Sequence, residues 1–128
     1  MSRIAAIILT KNEEADLPAC LKSLEAVADE IYVVDSGSTD RTVEIARGFG
    51  ASVLEHEFVN YAAQLNWALD AVRTQAEWIF RIDADERVSD ALARSLRQIL
   101  PSLTPEVTGV EIACRVSFLG RPLRWGDT

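Results

Sequence analysis

Asp83, Asp85 and Glu86 crowd three carboxylates into four residues of the stretch "FRIDADERV", at the end of a short apolar run. On extended backbone, Asp83 and Asp85 at i and i+2 point the same way. Two like charges held together in a partly dry cleft are costly unless a cation joins them. Hard oxygen ligands at a strand's mouth suit Mg²⁺ or Mn²⁺, which keep waters and share a substrate's phosphate oxygens. Helix capping and solvation form the competing account, but the next helix has its own cap in Ser89. A calcium loop beginning at Asp83 fails, because its sixth position is Val88 instead of Gly and its twelfth is Arg94 instead of Glu.

Two other loops carry polar clusters: "TKNEE" from Thr10 through Lys11, Asn12 and Glu13, and "DSGSTD" from Asp35 and Ser36. An Asx-type turn and a helix cap account for Asp35, Ser38 and Asp40 without any ligand. The functional alternative sets Asp35 and Ser36 beside a nucleoside. His56 has no second histidine to share a metal, so it reads as a loop residue. Cys20 and Cys114 lack motif spacing and read as two buried thiols. "GFGASV" follows a helix and precedes a strand, the reverse of a dinucleotide fingerprint, and no Walker A sequence occurs.

Positioning these loops requires strands and helices in alternation. "RIAAIIL" is apolar throughout, as a strand buried on both faces should be. A helix follows with Leu17, Leu21, Leu24 and Val27 on one face, Asp16 as cap and Pro18 in its first turn. "EIYVVD", "ASVLE" and "EWIFRID" supply further strands. Asp40 caps the second helix. The third runs from Tyr61 to Gln75 with Ala62, Leu65, Leu69 and Val72 on its inner side, and Ser89 opens the fourth. "GVEIACRVSF" alternates strictly, the pattern of a half-exposed or edge strand. The expected fold is α/β: an open, mostly parallel sheet with helices on both faces, forming one domain over residues 1–128. Ligands bind such sheets beyond the carboxyl ends of the strands, where all three acidic loops fall.

Composition narrows the partners. A net charge of −7 argues against nucleic acid, whose phosphates need clustered Lys and Arg. The longest apolar run, "IAAIIL", is too short to span a bilayer, and no secretory pattern is present, so a cytoplasmic protein is expected.

"IILTKNEE", "VVDSGSTDRTVEIA" and "RIDADE", in this order and at these strand ends, resemble the family 2 glycosyltransferases of the GT-A fold. "SGSTDRT", "YAAQLNWAL" and "FLGRPLRWG" look most like the lipopolysaccharide-core glucosyltransferases of Gram-negative bacteria. The resemblance implies a nucleotide-sugar donor, usually a UDP-sugar, a divalent metal (Mg²⁺ or Mn²⁺), and inverting transfer to a glycan or lipid-linked acceptor, with at most peripheral membrane association. Carried over by position, Thr10, Lys11, Asn12 and Glu13 line the nucleoside pocket, while Asp35 and Ser36 border the base. Asp83 approaches the ribose and shares the metal with Asp85, and Asn66 helps fix the nucleotide. Many relatives carry a second Asp where this chain has Ser36. Their catalytic base lies in a segment corresponding to residues beyond Thr128; Glu111 and Asp127 are poor substitutes. A nucleotide-sugar-binding module without its own chemistry is the alternative.

Overall fold

The Ile-rich run after Arg3 forms β1 (Ile4–Thr10). The computed structural model, which describes residues 3–72, 74, 76–102, 115–118 and 121–124, covers β1 on both faces. β2 (Glu30–Asp35) and β4 (Trp78–Arg81) flank it, and β3 (Ser52–Glu55) lies beyond β2. All pairings are parallel, in the order β3-β2-β1-β4. Ala6 and Ile8 face one layer, with Leu17, Leu21 and Leu24 of α1 (Leu17–Leu24), Ala46 of α2 (Thr42–Gly48) and Leu96 of α4 (Asp90–Ile99). Ile7 faces the other, against Val34 and Ala68 of α3 (Tyr61–Ala71). Burying each such Leu or Ile contributes ~1.5–3 kcal/mol. The expected α/β sheet with helices on both faces is therefore present. Strand order reverses at β1, which opens a crevice beyond the carboxyl ends of β1 and β4.

Three expectations need correction. α3 ends at Ala71, with Val72 already extended, and it turns a different face inward. Gln64 and Ala68 are buried, Trp67 and Val72 pack beside them, Ala62 lies outside, and Leu69 is 46% exposed. The buried stripe is thus polar at one end, because Gln64 finds partners inside. Second, Asp16 stands at the start of α1 without a side-chain capping bond. Third, β4 stops at Arg81, so Asp83 and Asp85 do not continue a pleat; Glu86 N–H closes a turn onto the Asp83 carbonyl at 2.9 Å.

Asp40 does cap, one residue early: its Oδ1 accepts from Thr42 N at 2.9 Å. Ser89 caps α4 as expected, accepting from Leu92 N at 3.1 Å. Ser89→Ala should cost about 1 kcal/mol in urea unfolding, the usual loss for a cap. The end of the alternating stretch forms β5 (Arg115–Phe118), paired antiparallel with β6 (Arg121–Arg124) in a separate two-stranded ribbon. Cys114, Glu111 and Asp127 lie outside the described residues.

Candidate functional site

At the carboxyl end of β2 the chain must turn sharply, and Asp35 organises that turn. Its Oδ2 accepts from the N–H groups of Gly37 (3.0 Å) and Ser38 (2.8 Å). Its Oδ1 accepts from the hydroxyls of Thr10 (2.7 Å) and Ser38 (2.5 Å). Burial pushes the Asp35 carboxyl up, but the bonds from Ser38, Thr10 and Gly37 outweigh it and hold the group below its ordinary range. Gly37 sits at φ +88, a conformation that L side chains rarely adopt. Asp35 is 1% exposed and its carboxylate accepts four hydrogen bonds, so it holds the turn from beneath.

The loop after β1 is fastened to this turn, one backbone group after another. Asn12 N donates to Ser38 Oγ (2.7 Å), Glu13 N to Thr42 Oγ1 (2.8 Å) and Glu14 N to Asp40 Oδ2 (3.2 Å). Asn12 adopts φ 54, which asparagine tolerates, and its Oδ1 accepts from Thr39 N at 2.7 Å. Lys11 Nζ donates to the carbonyls of Gly37 (2.8 Å) and Ser36 (3.2 Å). Ser36 Oγ donates to the Thr10 carbonyl at 3.1 Å, which leaves its lone pairs as acceptors. Five of the expected residues (Thr10, Lys11, Asn12, Asp35 and Ser36) thus meet in one braced wall.

Facing that wall is an acidic mouth. Burial raises the Glu13 carboxyl's pKa, and the charges of Asp85, Asp16, Asp40 and Asp83 raise it further. Asp83 is likewise raised, by burial first and then by Glu86 and Asp85, with Arg81 and Tyr61 opposing. Tyr61 Oη donates to Asp83 Oδ1 at 3.4 Å and accepts from Arg81 at 2.8 Å. Asp85 is exposed and takes no hydrogen bond from the described residues. Beneath them the buried Cys20 thiol is pushed up to about 12 by burial and these same acids, an inert thiol as expected.

These oxygens fit a hard cation, whose charge would relieve the repulsion that raises Glu13 and Asp83. Among the described residues no three His, Cys, Asp or Glu side chains are grouped closely enough to chelate an ion unaided. One or two carboxylates completed by phosphate oxygens and water is the arrangement typical of Mg²⁺.

Asn66 does not join the site. It lies about 200° around α3 from Gln64, on the outer face, and is exposed. The inward amide is Gln64, bound to His56, which is half-buried at the end of β3. Tyr61 and Arg81 were also absent from the expected set. Arg81 precedes Asp83 by two positions, close enough along the chain for its guanidinium to act on the same Tyr61 hydroxyl that Asp83 meets. A separate cavity of about 490 Å³ lies near the amino ends of β2 and β3, lined by Asp29, Tyr32 and Phe49 among others, away from the mouth.

The model for glycosyl transferase family 2 matches residues 5–118 of this chain. The chain belongs to this family. Among its glycosyltransferase relatives is the lipopolysaccharide core biosynthesis glycosyltransferase LpsC of Rhizobium meliloti, 38% identical over 91% of this chain and 44% of that protein. An uncharacterized glycosyltransferase of Rickettsia bellii is 40% identical over 78% of this chain and 33% of its own length. Glucosyl-3-phosphoglycerate synthase of Mycobacterium tuberculosis, solved with Mn²⁺, UDP and glucosyl-3-phosphoglycerate, superposes with a TM-score of 0.56 at 27% identity. That match covers 65% of this chain and 33% of the synthase. The fold is that of the GT-A glycosyltransferases. The chain spans between a third and a half of the length of these relatives.

Proposed function

We propose that this glycosyltransferase chain binds a UDP-sugar at the mouth of its sheet, as the donor side of an enzyme that moves a hexose to an acceptor hydroxyl with inversion. The observation that carries this is the pairing, across one crevice, of a preformed polar wall with a carboxylate cluster in which burial and neighbouring charges raise the pKa values of Glu13 and Asp83. The relation to LpsC favours an acceptor in lipopolysaccharide core or another envelope glycan, reached from the cytoplasmic face of the membrane. Among the described residues no helix is long and apolar enough to cross a membrane.

Asp85, aided by Asp83, would hold Mg²⁺ or Mn²⁺. An ion held there would supply Lewis-acid stabilisation for the charge that develops on a departing diphosphate. The chain's own residues do the positioning. Asp35 and Lys11 keep the two loops in one conformation, so the wall that receives the nucleoside needs little reordering on binding. Ser36 and the backbone of residues 11–13 line it. Proton removal from the acceptor is assigned to none of the described residues.

Calorimetric titration tests this directly. UDP should bind more tightly with Mn²⁺ than with EDTA, and more tightly than ADP. Equal UDP affinity in Mn²⁺ and EDTA would remove the metal clamp, and no UDP binding would remove the site.

A further inference from the structure

Gln64 is a polar residue on the inner face of α3, 1% exposed, where an apolar side chain would carry no desolvation cost. Both ends of its amide are committed to His56. Gln64 Nε2 donates to the His56 carbonyl at 3.0 Å, and Gln64 Oε1 lies 2.8 Å from His56 Nδ1. A carbonyl can only accept, which fixes the amide's orientation, and an oxygen facing Nδ1 requires the ring proton there. The imidazole also stacks on Trp67, with centroids 4.1 Å apart and planes 17° from parallel.

The other ring nitrogen is consequently a lone-pair acceptor in the neutral imidazole. No described residue donates to Nε2. No buried side-chain nitrogen or oxygen among the described residues lacks a partner, so this atom opens to solvent. The backbone places the residue: His56 N–H donates to the Asp35 carbonyl at 3.0 Å, which sets His56 beside Ser36 at the end of the sheet.

We infer that His56 Nε2 is a specificity-determining acceptor for a hydrogen-bond donor on the bound nucleoside, with Gln64 as the positioning residue that holds its tautomer. This rests on the nucleotide-binding reading above. A nucleoside offers such a group as the imide N–H of a uracil-type base or as the ribose 2′-hydroxyl, and the same lone pair takes either.

The chain has one histidine, so its ring nitrogens give a single pair of ¹⁵N signals. A long-range ¹⁵N–¹H spectrum of the free protein should show the proton on Nδ1. Adding UDP with Mg²⁺ should move the Nε2 signal upfield and leave Nδ1 in place. Gln64→Leu should convert the single tautomer into a mixture, which a purely packing role for Gln64 would not do. His56→Phe keeps the stack on Trp67 but removes the acceptor, so UDP affinity should fall about tenfold, with His56→Gln retaining most of it. If the imide is read, CDP affinity is insensitive to His56→Phe; if the ribose is read, 2′-deoxy-UDP affinity is. UDP binding that leaves Nε2 unmoved overturns this inference while the nucleotide site stands. Failure of the unsubstituted chain to bind UDP overturns both.

Discussion

Asp35→Ala should destabilise the chain by about 3 kcal/mol in urea unfolding, and Asp35→Asn by roughly half as much. Alanine strands four donors at once: the N–H groups of Gly37 and Ser38 and the hydroxyls of Thr10 and Ser38. The hydroxyls can rotate, but the backbone groups cannot. Asparagine can keep its oxygen on the two N–H groups and turn its amide nitrogen toward the hydroxyls, which accept as readily as they donate. A difference between the two substitutions therefore separates hydrogen-bond loss from charge loss. The pH dependence has a defined sign. Because the folded-state pKa of Asp35 is depressed, its contribution is complete above the ordinary carboxylate value of ~3.9 and is lost as pH falls through the folded value below it. Asp35→Asn should flatten the acid limb of the stability curve below about pH 4. Equal stability of all three proteins at pH 7 would mean that the loops hold without this carboxylate.

Periodicity in the sequence located the strands and α1 because their burial is one-sided or complete. Ile4 to Ile8 are all buried, and Leu17, Leu21 and Leu24 keep the helical spacing. α3 escaped that logic. Its inward face contains Gln64, whose polarity is satisfied by a histidine eight residues earlier, a pairing that no local pattern announces. The family resemblance named Asp35 and Lys11 for the nucleoside pocket, and the structure adds that both brace the loops after β1 and β2. Such duties depend on which carbonyls and N–H groups come within reach after the loops meet, so they belong to tertiary geometry. Likewise, the i and i+2 spacing of Asp83 and Asp85 implied a pleat, whereas the sheet ends at Arg81 and a turn takes over. The two carboxylates remain close enough to raise Asp83 together with Glu86, so their clustering survives although its assumed backbone does not.

That turn makes the two aspartates unequal, and Asp85→Asn is expected to have the larger effect on metal response. Asp83 is anchored: its N–H donates to Glu86 Oε1 at 2.8 Å and its carboxylate accepts from Tyr61. Asp85 is exposed, is tied by no hydrogen bond from the described residues, and lies close enough to Glu13 and Asp83 to raise both. An unanchored carboxylate in a repulsive cluster is the one free to close on a cation. Asp85→Asn should therefore abolish the gain in UDP affinity on adding Mn²⁺, since a neutral amide is a poor ligand for a hard ion. Asp83→Asn should weaken UDP binding both with Mn²⁺ and with EDTA, by about 1–3 kcal/mol if its role is a hydrogen bond to the ribose. Neither change should lower stability at pH 7, because the raised carboxyls of Glu13 and Asp83 repel their neighbours in the folded state. Titrating UDP into each variant under both conditions gives the comparison. A full Mn²⁺ response in Asp85→Asn would transfer the ion to Asp83, and loss of response in both variants would mean that the pair acts as one ligand.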